Sequence, residues 1–174
     1  MPTSTSSASE ILAPQDRPRT VSLPSVPLAP SVDPSALEAE MAALPARRVA
    51  CTSGAFTVYA CRAHEAPLAL LEIGRLRELS FRAVGEGTGR ERDLDRFDST
   101  YIHVLVWNAE AREVVGAYRV AATDEARPAE RELYTHGLFD IDPRFHERLG
   151  PALELGRSFV RPEYQRSYAP LPSL

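Results

Sequence analysis

No stretch of this 174-residue chain approaches the roughly 20 consecutive apolar residues that a membrane-spanning helix needs. The N-terminus also lacks the positive start and apolar core of a secretory signal. These absences make a cytoplasmic location the expectation and leave peripheral membrane contact open. Cysteine is scarce. Cys51 and Cys61 are the two in the chain, too few and too isolated for a metal knuckle, so both are expected to be reduced and structural. Positive charge is in deficit, with 20 basic against 24 acidic side chains and a formal net charge of −4. Electrostatic binding to nucleic acid therefore has no support from composition. Internal repeats are absent, and no Ser, His and acid grouping or cysteine has the local setting of a nucleophile.

What is present suffices for one domain of ordinary size, since 44% of the residues are apolar. Residues 1–47 have a different character. Their first 35 positions are rich in Ser, Thr and Pro without a sustained period, which predicts a disordered segment. Within it, "DPSALEAEMAAL" can cap at Asp33, place Pro34 at the first helical position and run as a short helix over 34–44. Its few apolar positions make that helix an appendage, with the folded part, 48–174, starting near Arg48.

In the folded part, "GAFTVYACR" reads as a first strand from Ala55 to Cys61. "PLALLEIGRLRELSFRAVG" starts at Pro67 and puts Leu68, Leu71, Leu76, Leu79 and Ala83 near one face, which predicts an amphipathic helix stopped near Gly85. A glycine-rich loop follows. "TYIHVLVW" then reads as a strand covered on both faces and "EVVGAYRVAAT" as its hairpin partner across the polar turn "NAEAREV". A partly irregular crossing from Asp124 to Gly150 holds a short Pro143-led segment with helical character, and "PALELGRSFV" returns as a fourth strand. The order predicts an α/β or α+β layer arrangement.

Several polar residues do not fit simple packing. Asp93, Asp95 and Asp98 fall within six residues directly before a buried strand. They form either a solvated acidic loop or a wall for a cationic or amine-bearing group; the segment lacks the glycine and terminal glutamate of a calcium loop, and no metal is expected. Arg119 interrupts an apolar strand, where a buried guanidinium demands partners. Glu154 poses the same problem in "ALELGRSFV", and Arg157 lies three positions on. A regular strand sends those two to opposite faces, whereas a bulge near Gly156 brings them together. His103 reads as a packed strand residue with one hydrogen bond, and His136 as a freer loop residue. "VGEGTG" follows a helix and has no Lys-Ser/Thr ending, so it is weak as a phosphate loop.

Taken together, "VGEGTGRERDLDRFDSTYIHVLVWN", "VVGAYRV", "GLFD" and "ALELGRSFVRPEYQRSYAPL" resemble the N-acyltransferase branch of the GNAT superfamily. The nearest group is the hemolysin-like proteins related to ornithine-lipid N-acyltransferases, with acyl-homoserine-lactone synthases more distant. The resemblance runs from about Cys51 to Leu174 and keeps the family's order: Arg77 with Phe81, then Asp93, Asp95 and Asp98, then Arg119, then Glu154 with Arg157. It implies a GNAT-like mixed sheet flanked by helices that splays between its fourth and fifth strands. It implies transfer of an acyl group from an acyl-carrier-protein or coenzyme A thioester to a small primary amine, in the setting of amino-acid-containing lipids, with no tightly bound cofactor. By position, Glu154, Arg157 and Arg119 would be catalytic, with Glu154 near the acceptor amine as its base if burial raises its pKa. Asp93, Asp95, Asp98, Arg77 and Phe81 would shape the substrate pocket, and Phe159, Val160, Gln165 and Arg166 would meet the donor. Backbone N–H groups of a bulged fourth strand would face the developing oxyanion.

The chain departs from the GNAT pattern in two places. Where acetyl-coenzyme A enzymes place a glycine turn that grips pyrophosphate, this sequence has "QRSYAP", with Tyr168 and Pro170 at the small-residue positions. A long acyl chain, on carrier protein, is therefore expected over acetyl-coenzyme A. The family also continues past "APL", so the chain reads as the N-terminal part of a longer acyltransferase, strands 1–4. The competing reading is a non-catalytic module that keeps this half-fold to bind an acyl group or a protein.

Overall fold

A computed structural model of the chain describes residues 26–123 and 133–165. In it the hairpin expected around the turn at residues 109–112 forms β3 (Ile102–Asn108) and β4 (Glu113–Ala122), antiparallel and paired from Ile102 with Val120 to Asn108 with Glu113. Their β-branched and aromatic side chains suit a pleated, covered surface. The first strand, β2 (Phe56–Arg62), pairs with β3, and the last, β5 (Leu153–Val160), pairs with β4. A further strand that the sequence reading missed, β1 (Val49–Ser53), forms a hairpin with β2. It is mostly exposed and its register shifts between Val49 and Cys51, so it leaves no clean alternation in the sequence.

The result is a five-stranded sheet in the order β1-β2-β3-β4-β5, antiparallel at every pairing among the described residues. Helices flank it in a mixed α/β fold consistent with GNAT architecture. Short helices α3 (Pro143–Leu149) and α4 (Pro162–Gln165) lie before and after β5. No helix of the described residues is long and apolar enough to cross a membrane.

The helix at Pro67 is α2 (Pro67–Ala83), and Gly85, at φ +81°, takes the left-handed conformation just beyond it. Its buried face differs from the expected one. Leu71 and Leu79 are exposed, while Ala69, Glu72, Ile73, Leu76, Arg77 and Glu78 are buried. Charged residues can occupy this face because each has partners. Glu72 binds Arg75 and the Val32 N–H, and Glu78 accepts from Arg82, Thr88 and the Gly89 N–H.

The N-terminal helix α1 (Pro34–Ala43) starts as predicted, with the Asp33 carboxylate accepting from the Ala36 N–H at 2.9 Å. It is not an appendage. Leu37 and Met41 enter the same core as Ala69, Ile73, Leu76, Leu105, Trp107, Ala117 and Phe159. Glu40 accepts from the Leu68 and Ala69 N–H groups at 2.8 and 2.7 Å, so α1 caps α2 from outside. The folded part therefore begins well before Arg48; residues 1–25 lie outside the described residues. Two apolar side chains four apart are too sparse a signal to show that α1 is buried. Cys51 and Cys61 are both free, and burial pushes the Cys61 thiol up to about 11.

Candidate active site

The segment "DLDRFDS" folds locally before it meets anything else. Asp95 caps the turn Arg96–Ser99 by accepting from the Phe97 N–H at 2.9 Å, while Asp98 reaches back to the Asp95 N–H at 2.8 Å. This reciprocal cap fixes both carboxylates. The loop is pinned to α2 at Gly74, whose carbonyl accepts from the Asp93 N–H at 2.9 Å. A Cβ on Gly74 would sit 2.6 Å from Leu94 Cγ, so the close approach needs glycine there.

Pinned in this way, the acidic residues meet arginines, with Asp93 and Asp98 buried and Asp95 partly exposed. Arg77 donates two parallel bonds to Asp98, each 2.9 Å, and also binds the Asp93 carbonyl. From β4, Arg119 donates to both Asp95 oxygens at 2.7 and 2.9 Å and to Asp98 at 3.1 Å. Its guanidinium lies 5.1–5.6 Å from the centroids of Phe97, Tyr101 and Tyr134. All 20 basic residues of the chain are arginine, and these two use the planar fork that lysine lacks. Burial alone would raise the Asp98 pKa, but the Arg77 bonds, with help from the Asp95 N–H and Arg119, hold it below the ordinary value. Asp93 goes the other way. Its burial outweighs Arg77 and Arg157 and raises its pKa, and its Oδ2 accepts no hydrogen bond. His103 is buried, and its Nε2–H donates to the Asp98 carbonyl at 2.8 Å; burial lowers its pKa. Among the described residues, no group of three or more His, Cys, Asp and Glu is placed to hold a metal ion.

The irregularity expected near Gly156 is present. β4 advances from Ala117 to Arg119 while β5 runs from Phe159 to Gly156, an extra residue that makes a bulge. Arg157 sits in it at φ +53°, a left-handed backbone rare outside glycine. The bulge turns Arg157 toward the acidic loop, with Nη1 3.3 Å from Asp93 Oδ2 and Nη2 3.9 Å from Asp95 Oδ2. Its guanidinium also lies over Tyr134 at 5.5 Å and Phe81 at 6.0 Å. Glu154 meets the backbone of the same Tyr134. It accepts from the Tyr101 hydroxyl, from the Tyr134 N–H at 3.2 Å and from the Thr135 N–H at 2.9 Å. The structure thus gathers Arg77, Phe81, Asp93, Asp95, Asp98, Arg119 and Arg157 and joins Glu154 to them through Tyr134 and Tyr101.

The expected condition for a glutamate base does not hold. Burial would raise the Glu154 pKa, but the bonds from Tyr101, Thr135 and Tyr134 outweigh it and leave the pKa below the ordinary value. Tyr101 is raised in turn by burial and by Glu154. Of the positions assigned to the donor, Phe159 is in the core and Val160 pairs with Gly116. Gln165 donates to the Val160 carbonyl at 2.7 Å, and Arg166 lies outside the described residues, as do Tyr168 and Pro170.

Sequence reasoning missed Tyr101 and Tyr134, which lie 53 and 20 residues from Glu154. It also missed a cavity of about 460 Å³ at the start of β5, in the size range of small-ligand sites. Leu133, Phe139, Ile141, Phe145, Leu149 and Leu153 give it an apolar wall, and Glu154 stands in its lining.

Comparison with known proteins gives a family and several relatives. Residues 76–172 match the family model described as "Acetyltransferase (GNAT) domain". The chain is 41% identical over 119 residues to a glycine N(alpha)-acyltransferase of Phocaeicola vulgatus, a match covering 64% of this chain and 36% of that protein. A glycine N(alpha)-acyltransferase of Bacteroides thetaiotaomicron is also 41% identical over 119 residues, covering 64% and 35%. An L-ornithine N(alpha)-acyltransferase of Brucella abortus is 35% identical over 107 residues, covering 51% and 37%. The matched region thus spans little more than a third of each of these relatives. No solved structure gives a significant match. The chain belongs to the GNAT acetyltransferase-domain family and is related within it to the glycine and ornithine N-acyltransferases.

Proposed function

We propose that this chain carries the acyl-transfer site of an N-acyltransferase that moves a long acyl group from a thioester to a primary amine, in the synthesis of amino-acid-containing lipids. The observation that carries this reading is the apolar cavity with Glu154 in its lining. An acyl chain in that cavity would present its thioester carbonyl toward Glu154 and Thr135, polar residues of its lining. The donor is acyl carrier protein or coenzyme A, with carrier protein favoured by Tyr168 and Pro170 in "QRSYAP".

The amine nitrogen attacks the thioester carbonyl carbon, the C–N bond forms, the C–S bond breaks and the thiol leaves. The ammonium must lose a proton before attack. With its pKa held down, Glu154 is ionised at neutral pH and a weak base, so its part is to attract and orient the ammonium while water takes the proton. The three hydrogen-bonding groups around Glu154 favour one rival, a module that binds an acyl group without transferring it. A thioester-release assay separates the two. Incubation with acyl-carrier, long-acyl-coenzyme A and acetyl-coenzyme A donors plus an amine should release thiol from the long-chain donors. Binding of a long-acyl donor without release would support the rival, and equal use of the acetyl donor would overturn the donor assignment.

A further inference from the structure

Tyr101 stands directly before β3 and is 3% exposed, yet it carries a hydroxyl into the interior. Burying that group costs free energy unless it is bonded, and a phenylalanine would fill the same space without the cost. The hydroxyl is used twice. It donates to Glu154 Oε2 and accepts from the Tyr134 N–H at 2.9 Å, so its donor is committed and its direction is set. The rest of the residue is held by the acidic turn and by β4. Its N–H donates to the Phe97 carbonyl at 3.0 Å, and its ring meets Phe97 edge to face with centroids 5.8 Å apart. The Arg119 guanidinium lies 5.1 Å from its ring centroid and is itself clamped by Asp95 and Asp98. A continuous chain of contacts thus runs from the acidic turn through Tyr101 to a carboxylate 53 residues away on β5.

We propose that Tyr101 is the positioning residue for Glu154: its hydroxyl fixes the carboxylate in the cavity lining and keeps the negative charge where an amine would meet it. The Tyr134 and Thr135 N–H groups also hold Glu154, but they belong to a turn of four residues. Tyr101 is the contact that ties Glu154 to the acidic loop and the sheet, and a reacting group is held best from such rigid elements. A hydrogen bond given to the ionised form also favours that form. Burial pushes the Glu154 pKa up, and the Tyr101 hydroxyl heads the bonds that bring it below the ordinary value. The charged groups packed around the pair are Arg119 from β4, Arg157 from β5, whose guanidinium lies over Tyr134, and Arg77 from α2. Asp93, Asp95 and Asp98 are paired with these arginines. This inference rests on the amine-acylation reading for what the charge serves, whereas the Tyr101–Glu154 bond can be measured without turnover.

Tyr101→Phe tests it, because the ring stays and the Tyr134 N–H keeps Glu154 as its acceptor. The Glu154 carboxyl carbon is followed by NMR during an acid titration of the full chain. It should titrate about one pH unit or more higher in the variant, the scale of one hydrogen bond to a charged group. Acyl transfer gives the second readout. The ratio of kcat/KM between the unaltered chain and the variant should widen about twofold or more from pH 7 to pH 5, as Glu154 in the variant takes up a proton. Asp93, Asp98 and His103 are present in both proteins, so their shifted titrations cancel in that ratio. A hydroxyl with a structural role alone would lower the thermal midpoint and leave both readouts unmoved. An unchanged Glu154 titration overturns the proposal, and so does a shifted titration with a ratio that stays flat. A shifted titration in a chain that forms no amide keeps the Tyr101–Glu154 pairing and removes the acylation reading. If the variant does not fold, the unaltered chain decides: the Tyr101 hydroxyl proton should exchange slowly with water and lie close to the Tyr134 N–H by NMR, and a freely exchanging hydroxyl overturns the proposal.

Discussion

Arg77 and Asp98 meet through two parallel 2.9 Å hydrogen bonds in a site where neither side chain is more than 3% exposed. Asp98 also accepts from Arg119 and from the Asp95 N–H, so one carboxylate ties α2, β4 and the acidic loop together. Breaking a buried pair on one side leaves an uncompensated charge, which costs about 3–5 kcal/mol. Asp98→Asn should therefore lower unfolding free energy by about that amount in urea titration at neutral pH.

The same carboxylate sets an acid dependence. A depressed carboxyl contributes stability that is present above its unfolded pKa, about 3.9, and is lost as pH falls through the lower folded value. The thermal midpoint should fall on acidification below about pH 4, and Asp98→Asn should flatten part of that fall. An unchanged acid profile in the variant would place the loss in other groups.

Glu154 yields a prediction opposite in form to that of a burial-raised base. Its folded pKa is lowered, so it stays ionised throughout the neutral range. Glu154→Gln should reduce kcat/KM for acyl transfer by about tenfold or more, the scale of an oriented charged contact, and by a constant ratio from about pH 5 to 8. A ratio that closes as pH rises would restore the base role.

α1 is the part of the fold that the sequence conceals most. Its N-cap at Asp33 and Pro34 is readable locally, whereas the two bonds from Glu40 to the start of α2 join residues 28 and 29 positions apart. Glu40→Ala should cost about 1 kcal/mol, as for loss of an N-cap, and Met41→Ala about 2–5 kcal/mol. Chemical denaturation of both variants checks this, and a change within error for both would return α1 to the status of an appendage.

The β3–β4 hairpin, α2 and β5 were legible because apolar runs and breakers act within a few residues. The bulge was legible from the conflict between strand period and the Glu154–Arg157 spacing. The site's polar partners were legible as types but not as pairs. Asp93, Asp95 and Asp98 look like a solvated loop until Arg77 and Arg119 arrive from other elements. Tyr101 looks like any strand-edge aromatic until its hydroxyl meets Glu154. The buried face of α2 was misread because propensity rules count Glu72, Arg77 and Glu78 as solvent-facing, and only tertiary partners make their burial tolerable.

The apolar cavity can be tested without disturbing the core, because Phe139 lines it and is 63% exposed. Phe139→Asp should leave stability within about 0.5 kcal/mol, as expected for an exposed position. It should raise KM for long-acyl donors and leave short-acyl donors little affected. Equal effects on both would move the acyl chain elsewhere.

The central claim is that the site around β5 joins an acyl group to an amine. The most direct measurement is mass-spectrometric detection of the amide formed when the chain is incubated with glycine and a long-chain acyl thioester carrying an isotopic label in its acyl group. The account predicts a labelled N-acyl glycine that grows with time and falls sharply in Glu154→Gln. Thioester consumed with the label appearing only as free fatty acid, or labelled amide formed at the same rate with and without the protein, would contradict it.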